Sequence, residues 1–110
     1  MSTAQLHVSR ILEAIEQSYS QPLTLRMLAT ALDRQASYLG ALFRRETGVS
    51  VRQWLTRVRL DRASALICEG VKIEAVALLV GYRSKKNFYR QFKRRFAMTP
   101  VAYGAHVRNQ

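Results

Sequence analysis

The sequence is poor in cysteine. Cys68 is the only one among 110 residues, so no internal disulfide can form and nothing points to an oxidising compartment. No apolar run reaches about 18 residues, which excludes a transmembrane helix. The first ten residues, MSTAQLHVSR, lack the apolar stretch of a signal peptide. These absences predict a cytoplasmic protein with no membrane partner. Histidine is equally scarce. His7 and His106 stand far apart in the chain, so no metal site is expected. No nucleophile–base pair, phosphate-binding loop or catalytic carboxylate pair is recognisable. Glu13 and Glu16 read as a surface pair at i, i+3. The expectation is therefore not an enzyme, with no cofactor. Cys68, in ALICEG, is expected to be buried packing rather than a redox sensor.

Acidic residues are scarce as well. Seven Asp+Glu face 18 Lys+Arg, a formal net charge of +11. Such an excess points to nucleic acid, an anionic membrane surface or an acidic protein. Hydrophobic content of 48% is too high for a disordered tail and supplies a small core. The length fits one domain, residues 1–110.

Only two prolines and five glycines interrupt the chain. Apolar residues recur at spacings of three and four, which predicts an all-α fold of about seven helices. Leu6, Ile11, Leu12 and Ile15 give a first amphipathic helix ending near Ser18. Thr24 is a good N-cap for the next, whose inward stripe is Leu25, Leu28, Ala29 and Leu32. Asp33 tolerates the left-handed turn that follows. A helix from about Ala36 to Glu46 turns Leu39, Leu42 and Phe43 inward, and Gly48 stops it. A long helix begins at Ser50 and ends at Gly70. A short one spans about Ile73 to Val80, with a turn at Gly81. Another runs from about Ser84 to Phe96, and Pro100 opens a last short helix.

The chain nearly repeats itself. YLGALFRRETGVSVRQW (38–54) lies over NFYRQFKRRFAMTPVAY (87–103), so that Leu39 meets Phe88 and Phe43 meets Phe92, an offset of 49 residues. In the preceding helices Ala29 meets Ala77 and Leu32 meets Val80, an offset of 48, so the second turn is one residue longer. Each copy reads as a helix-turn-helix: the first over about 25–46, the second over about 73–96, with a linker helix over about 50–69. A helix of about 19 residues spans roughly 28 Å. Successive major grooves lie about 34 Å apart along DNA. Two such motifs in one chain predict binding to adjacent grooves as a monomer, unless a further domain dimerises it. Trp54 and Tyr103 hold matching places after each motif and are expected to pack in the core.

From Arg83 to Arg95 the chain carries seven basic residues and no acidic one. On a wheel of about 100° per residue, Phe88, Phe92 and Phe96 share one side, and Lys86, Arg90, Lys93 and Arg94 the other. The phenylalanines anchor the helix; the basic side is left without counter-charge inside its own segment.

These features resemble the AraC/XylS family of bacterial transcription regulators over about Leu6 to Val107. The resemblance rests on RASALICEGVKIEAVALLVGYRSKKNFYRQFKRRFAMTPVAY, with its turn glycine, aromatic pair, basic pair and closing TP, and on YLGALFRRETGVS in the first motif. It implies binding to promoter DNA and activation through contact with RNA polymerase. Where family members often carry long groove-facing side chains, this chain has Ser37, Gly40 and Ala41. Ala97 replaces a usual glycine, as Asp33 does in the first turn.

Arg90 is the leading base-reading candidate, because its fork matches guanine O6 and N7. Lys86 and Asn87, in the first turn of the same helix, are candidates for base contact, as are Ser37, Gly40 and Ala41 in the first motif. Arg44, Arg45, Lys85, Tyr89, Lys93 and Arg94 are candidates for phosphate contact. The leading function is sequence-specific binding of double-stranded DNA. The alternative is a nonspecific or architectural DNA-binding protein, which the small residues at 40 and 41 would suit. A membrane-active helix over 84–96 fits less well, since a folded scaffold accounts for its phenylalanines as core.

Overall fold

The computed structural model describes all residues, 1–110, as seven α-helices and no strand. They form two compact units, Met1–Leu55 and Thr56–Gln110.

The first unit holds α1 (Thr3–Ser18), α2 (Leu25–Leu32), α3 (Ala36–Thr47) and the first turn of α4 (Val51–Cys68). Ser2 opens α1 with a capping box: its Oγ accepts from the Gln5 N–H at 3.1 Å, and Gln5 Oε1 accepts from the Ser2 N–H at 2.8 Å. The buried stripe of α1 is His7, Val8, Ile11 and Ile15. Leu6, expected inward, is instead exposed. It sits about 140° around the helix from Ile11, whereas His7 sits about 40° away. The buried seam thus takes the histidine and leaves the leucine outside.

Thr24 caps α2, accepting the Met27 N–H at 3.2 Å. Leu28 and Ala29 are buried, with Leu25 and Leu32 half-buried beside them. Asp33 then turns left-handed at φ 54°, and the Arg34 N–H closes onto the Ala29 carbonyl at 3.0 Å. Leu39, Leu42 and Phe43 carry α3 into the core. Gly48 ends it at φ 84°, donating its N–H to Arg44 O at 2.8 Å. A second capping box, Ser50 with Gln53, starts α4. Trp54 meets Phe43 edge to face, with ring centroids 6.0 Å apart.

The second unit holds the rest of α4, α5 (Ile73–Leu79), α6 (Lys85–Phe96) and α7 (Pro100–Arg108). Leu60, Ala63 and Ile67 are its buried seam on α4, and Val76, Ala77 and Val80 bury the α5 side. Phe88 and Phe92 are wholly buried. Phe92 meets Phe96 at 4.6 Å and Tyr103 at 5.4 Å, so α6 and α7 share one aromatic cluster. Thr99 caps α7 by accepting the Ala102 N–H at 3.1 Å, with Pro100 buried at the first helical position. Cys68, expected to be buried, is exposed. It lies one residue past Ile67, about 100° off the α4 seam. Its Sγ lies 3.9 Å from Tyr103 Oη. Burial pushes the Tyr103 phenol up, and the Cys68 contact adds to that. No helix is long and apolar enough to cross a membrane.

Candidate nucleic-acid interface

The interface is built from α6 outward. Ser84 starts the helix, its Oγ accepting the Asn87 N–H at 3.1 Å. Lys93, Arg94 and Arg95 occupy the last turn, where cations oppose the partial charge of the free carbonyls. Ala97 closes it left-handed at φ 61°, with its N–H on Lys93 O at 2.8 Å. Because Phe88 and Phe92 hold one side in the core, Lys86, Arg90, Lys93 and Arg94 are all presented exposed.

The charge of this segment is less solitary than its sequence suggests. Arg95 bonds Asp61 on α4, through Nη2 at 2.7 Å and Nε at 2.8 Å to one carboxylate oxygen. Lys85 Nζ lies 3.6 Å from Glu74 on α5 and 5.6 Å from the Tyr89 ring centre. A backbone hydrogen bond in the first turn of α5, and then Lys85, hold the Glu74 carboxyl below its ordinary range. Both acids come from outside the basic run. Lys85 and Arg95 are thus paired with acids of neighbouring helices, and Lys86, Arg90, Lys93 and Arg94 are exposed between them. Nearby, Arg59 sits 5.9 Å from the Tyr82 ring centre. Burial raises the Tyr82 phenol, and the guanidinium partly offsets the rise.

Among the remaining candidates, Arg90 Nη2 donates to Asn87 Oδ1 at 2.9 Å. Tyr89 is half-buried, edge-on to Phe88. On α3, Ser37, Ala41, Arg44 and Arg45 are exposed. Arg45 Nε lies 3.5 Å from Glu46 Oε1. Gly40 is half-buried, and a Cβ built on it would come within 3.0 Å of Leu25 Cδ2. That position serves the close approach of α3 to α2.

Two features escape a reading of the sequence. Tyr38 on α3 is 42% exposed, and its hydroxyl lies 3.2 Å from Nδ1 of the buried His7. The rings meet edge-on at 5.7 Å. The partners are 31 residues apart, and His7 lies outside both motifs. Arg26 and Arg34 line an open groove of about 620 Å³ at the α2–α3 turn, together with Ala29, Thr30, Asp33 and Ala36. No clustered basic run announces these two arginines.

A family model described as a helix-turn-helix domain matches residues 28–106. The melibiose operon regulatory protein of Escherichia coli K12 is 33% identical over 101 residues, covering 91% of this chain and 33% of that protein. A solved structure of a probable AraC family transcriptional regulator from Rhodopseudomonas palustris superposes with a TM-score of 0.82 at 25% identity, covering 92% of this chain and 96% of that one. The chain belongs to the AraC-type helix-turn-helix family. The fold is also matched by the C-terminal domain of AraT, a response regulator of Geobacillus stearothermophilus, at TM-score 0.90 and 29% identity over 96% of this chain and 88% of that one. The DNA-binding domain of AdpA, solved in complex with a target DNA, matches at TM-score 0.84 and 26% identity, covering 93% of each chain. This AraC-type chain spans about a third of the length of the curated relatives it matches.

Proposed function

We propose that this AraC-type chain binds double-stranded promoter DNA sequence-specifically and regulates transcription in the bacterial cytoplasm. The observation that carries the reading is the exposed Lys86–Arg90–Lys93 face on a helix whose opposite side, Phe88 and Phe92, is wholly buried. A rigidly seated helix with that face supplies both phosphate neutralisation and a fork for base edges. In this reading α3 and α6 enter successive major grooves, the chain binds as a monomer, and it activates by contacting RNA polymerase. Arg90 and Lys86 read bases under the second motif. Arg44, Arg45, Lys93 and Arg94 hold phosphates.

The competing reading is a nonspecific DNA-coating protein. It is favoured by α3, which offers only Ser37 and Ala41 where long side chains would read bases, with Gly40 committed to Leu25. Gel-shift titration against excess unrelated duplex separates the two. Complexes on a selected site that survive a hundred-fold excess of competitor (about 2.7 kcal/mol of discrimination) support specific binding. Equal loss on every sequence leaves the nonspecific reading.

A further inference from the structure

Asn87 occupies the third position of α6, where Ser84 Oγ fixes its backbone N–H. Its side chain does not stand at the centre of the exposed basic face. The residue is half-buried, and around the helix it lies about 60° from Arg90, toward the flank. From there its carbonyl oxygen accepts a hydrogen bond from Arg90 Nη2 at 2.9 Å. An arginine free in water samples many rotamers, and binding must freeze them. One held from the side has lost part of that freedom beforehand, and a single bond leaves four of its five N–H donors for a base. The first motif offers an internal comparison. Its matching positions are Tyr38 and Ala41. Ala41 has no group to hold, and Tyr38 turns instead to His7 on α1. The side-chain bridge from the third helical position occurs in the motif that has the arginine.

We infer that Asn87 is a positioning residue for Arg90, setting the guanidinium for bidentate contact with guanine, rather than a base reader in its own right. The inference rests on the reading of α6 as the helix that contacts DNA. It assigns the specificity of the second motif to a pair acting as one unit.

The test is a double-mutant cycle on the full chain, with binding-site selection from random duplex DNA as the second readout. Arg90→Ala is expected to lower affinity for the wild-type site about five- to a hundred-fold and to relax one base position. Asn87→Ala is expected to lower it about two- to ten-fold and to relax that same position. In the Arg90→Ala background, Asn87→Ala should change nothing further. Asn87→Asp keeps an acceptor oxygen and should keep the preference at that position. Helical CD equal to wild type for each variant excludes loss of fold as the cause. If Asn87→Ala relaxes a different base position, or costs as much without Arg90 as with it, the pairing is overturned while the DNA-binding reading stands. If the wild type itself selects no sequence, both fall together.

Discussion

Arg94 and Arg95 are adjacent on α6 and differ in what they do. Arg95 is engaged twice by Asp61, a surface pair of the kind that contributes about 0.2–1 kcal/mol. Arg94 is exposed on the basic face. Arg94→Ala should therefore weaken binding to all sequences and reduce the salt slope by about one. Arg95→Ala should leave the slope unchanged and lower thermal stability slightly. Titrations from low to high salt on one duplex check both. A slope change for Arg95 equal to that for Arg94 would place both on phosphate. The sequence distinguishes them only through the wheel, which sets Arg94 on the basic side; it does not show Asp61, because 34 residues separate the acid from its arginine. Cys68 and Leu6 illustrate the same blindness. Each is apolar and lies beside a buried position, and only the true direction of the helix face separates it from the seam.

At the scale of an element, α6 stands on its phenylalanines and α3 on a missing side chain. Phe92 is wholly buried among Phe88, Phe96 and Tyr103. Phe92→Ala should cost about 3–5 kcal/mol, read as a lower urea midpoint, and DNA binding should fail with the fold. Gly40→Leu should push α3 off Leu25 and cost about 1–3 kcal/mol. Chemical denaturation monitored by helical CD measures both. A Gly40→Leu variant as stable as wild type would show that the space beside Leu25 is open. The helices themselves were legible from sequence because local chemistry sets their ends. Thr24, Ser50, Ser84 and Thr99 cap the starts, and Asp33, Gly48 and Ala97 take the left-handed stops. The repeat made the two motifs visible at once. What pairs across helices was not legible: His7 with Tyr38, Gly40 with Leu25, Lys85 with Glu74. Those contacts depend on how helices approach, which no spacing within one helix encodes.

For the whole molecule, charge decides the partner. A net charge of +11 and a basic face on α6 call for a polyanion. If roughly six to eight phosphates are neutralised, log affinity should fall against log salt with a slope of about −5 to −7. A slope near zero would remove nucleic acid as the main partner.

Sequence preference depends on more than net charge. The second motif presents Arg90 and Lys86 where the first presents Ala41 and Ser37. A methyl group can touch thymine but cannot bond guanine, whereas arginine bonds it at two points. Selection of bound sequences from random duplex DNA, run on wild type and on Arg90→Ala, tests this most directly. The expected result is a bipartite site whose more sharply specified half loses one guanine position in Arg90→Ala, with the other half unchanged. A sharper half that is insensitive to Arg90, or preferences that survive intact in the variant, would contradict the assignment of base reading to α6.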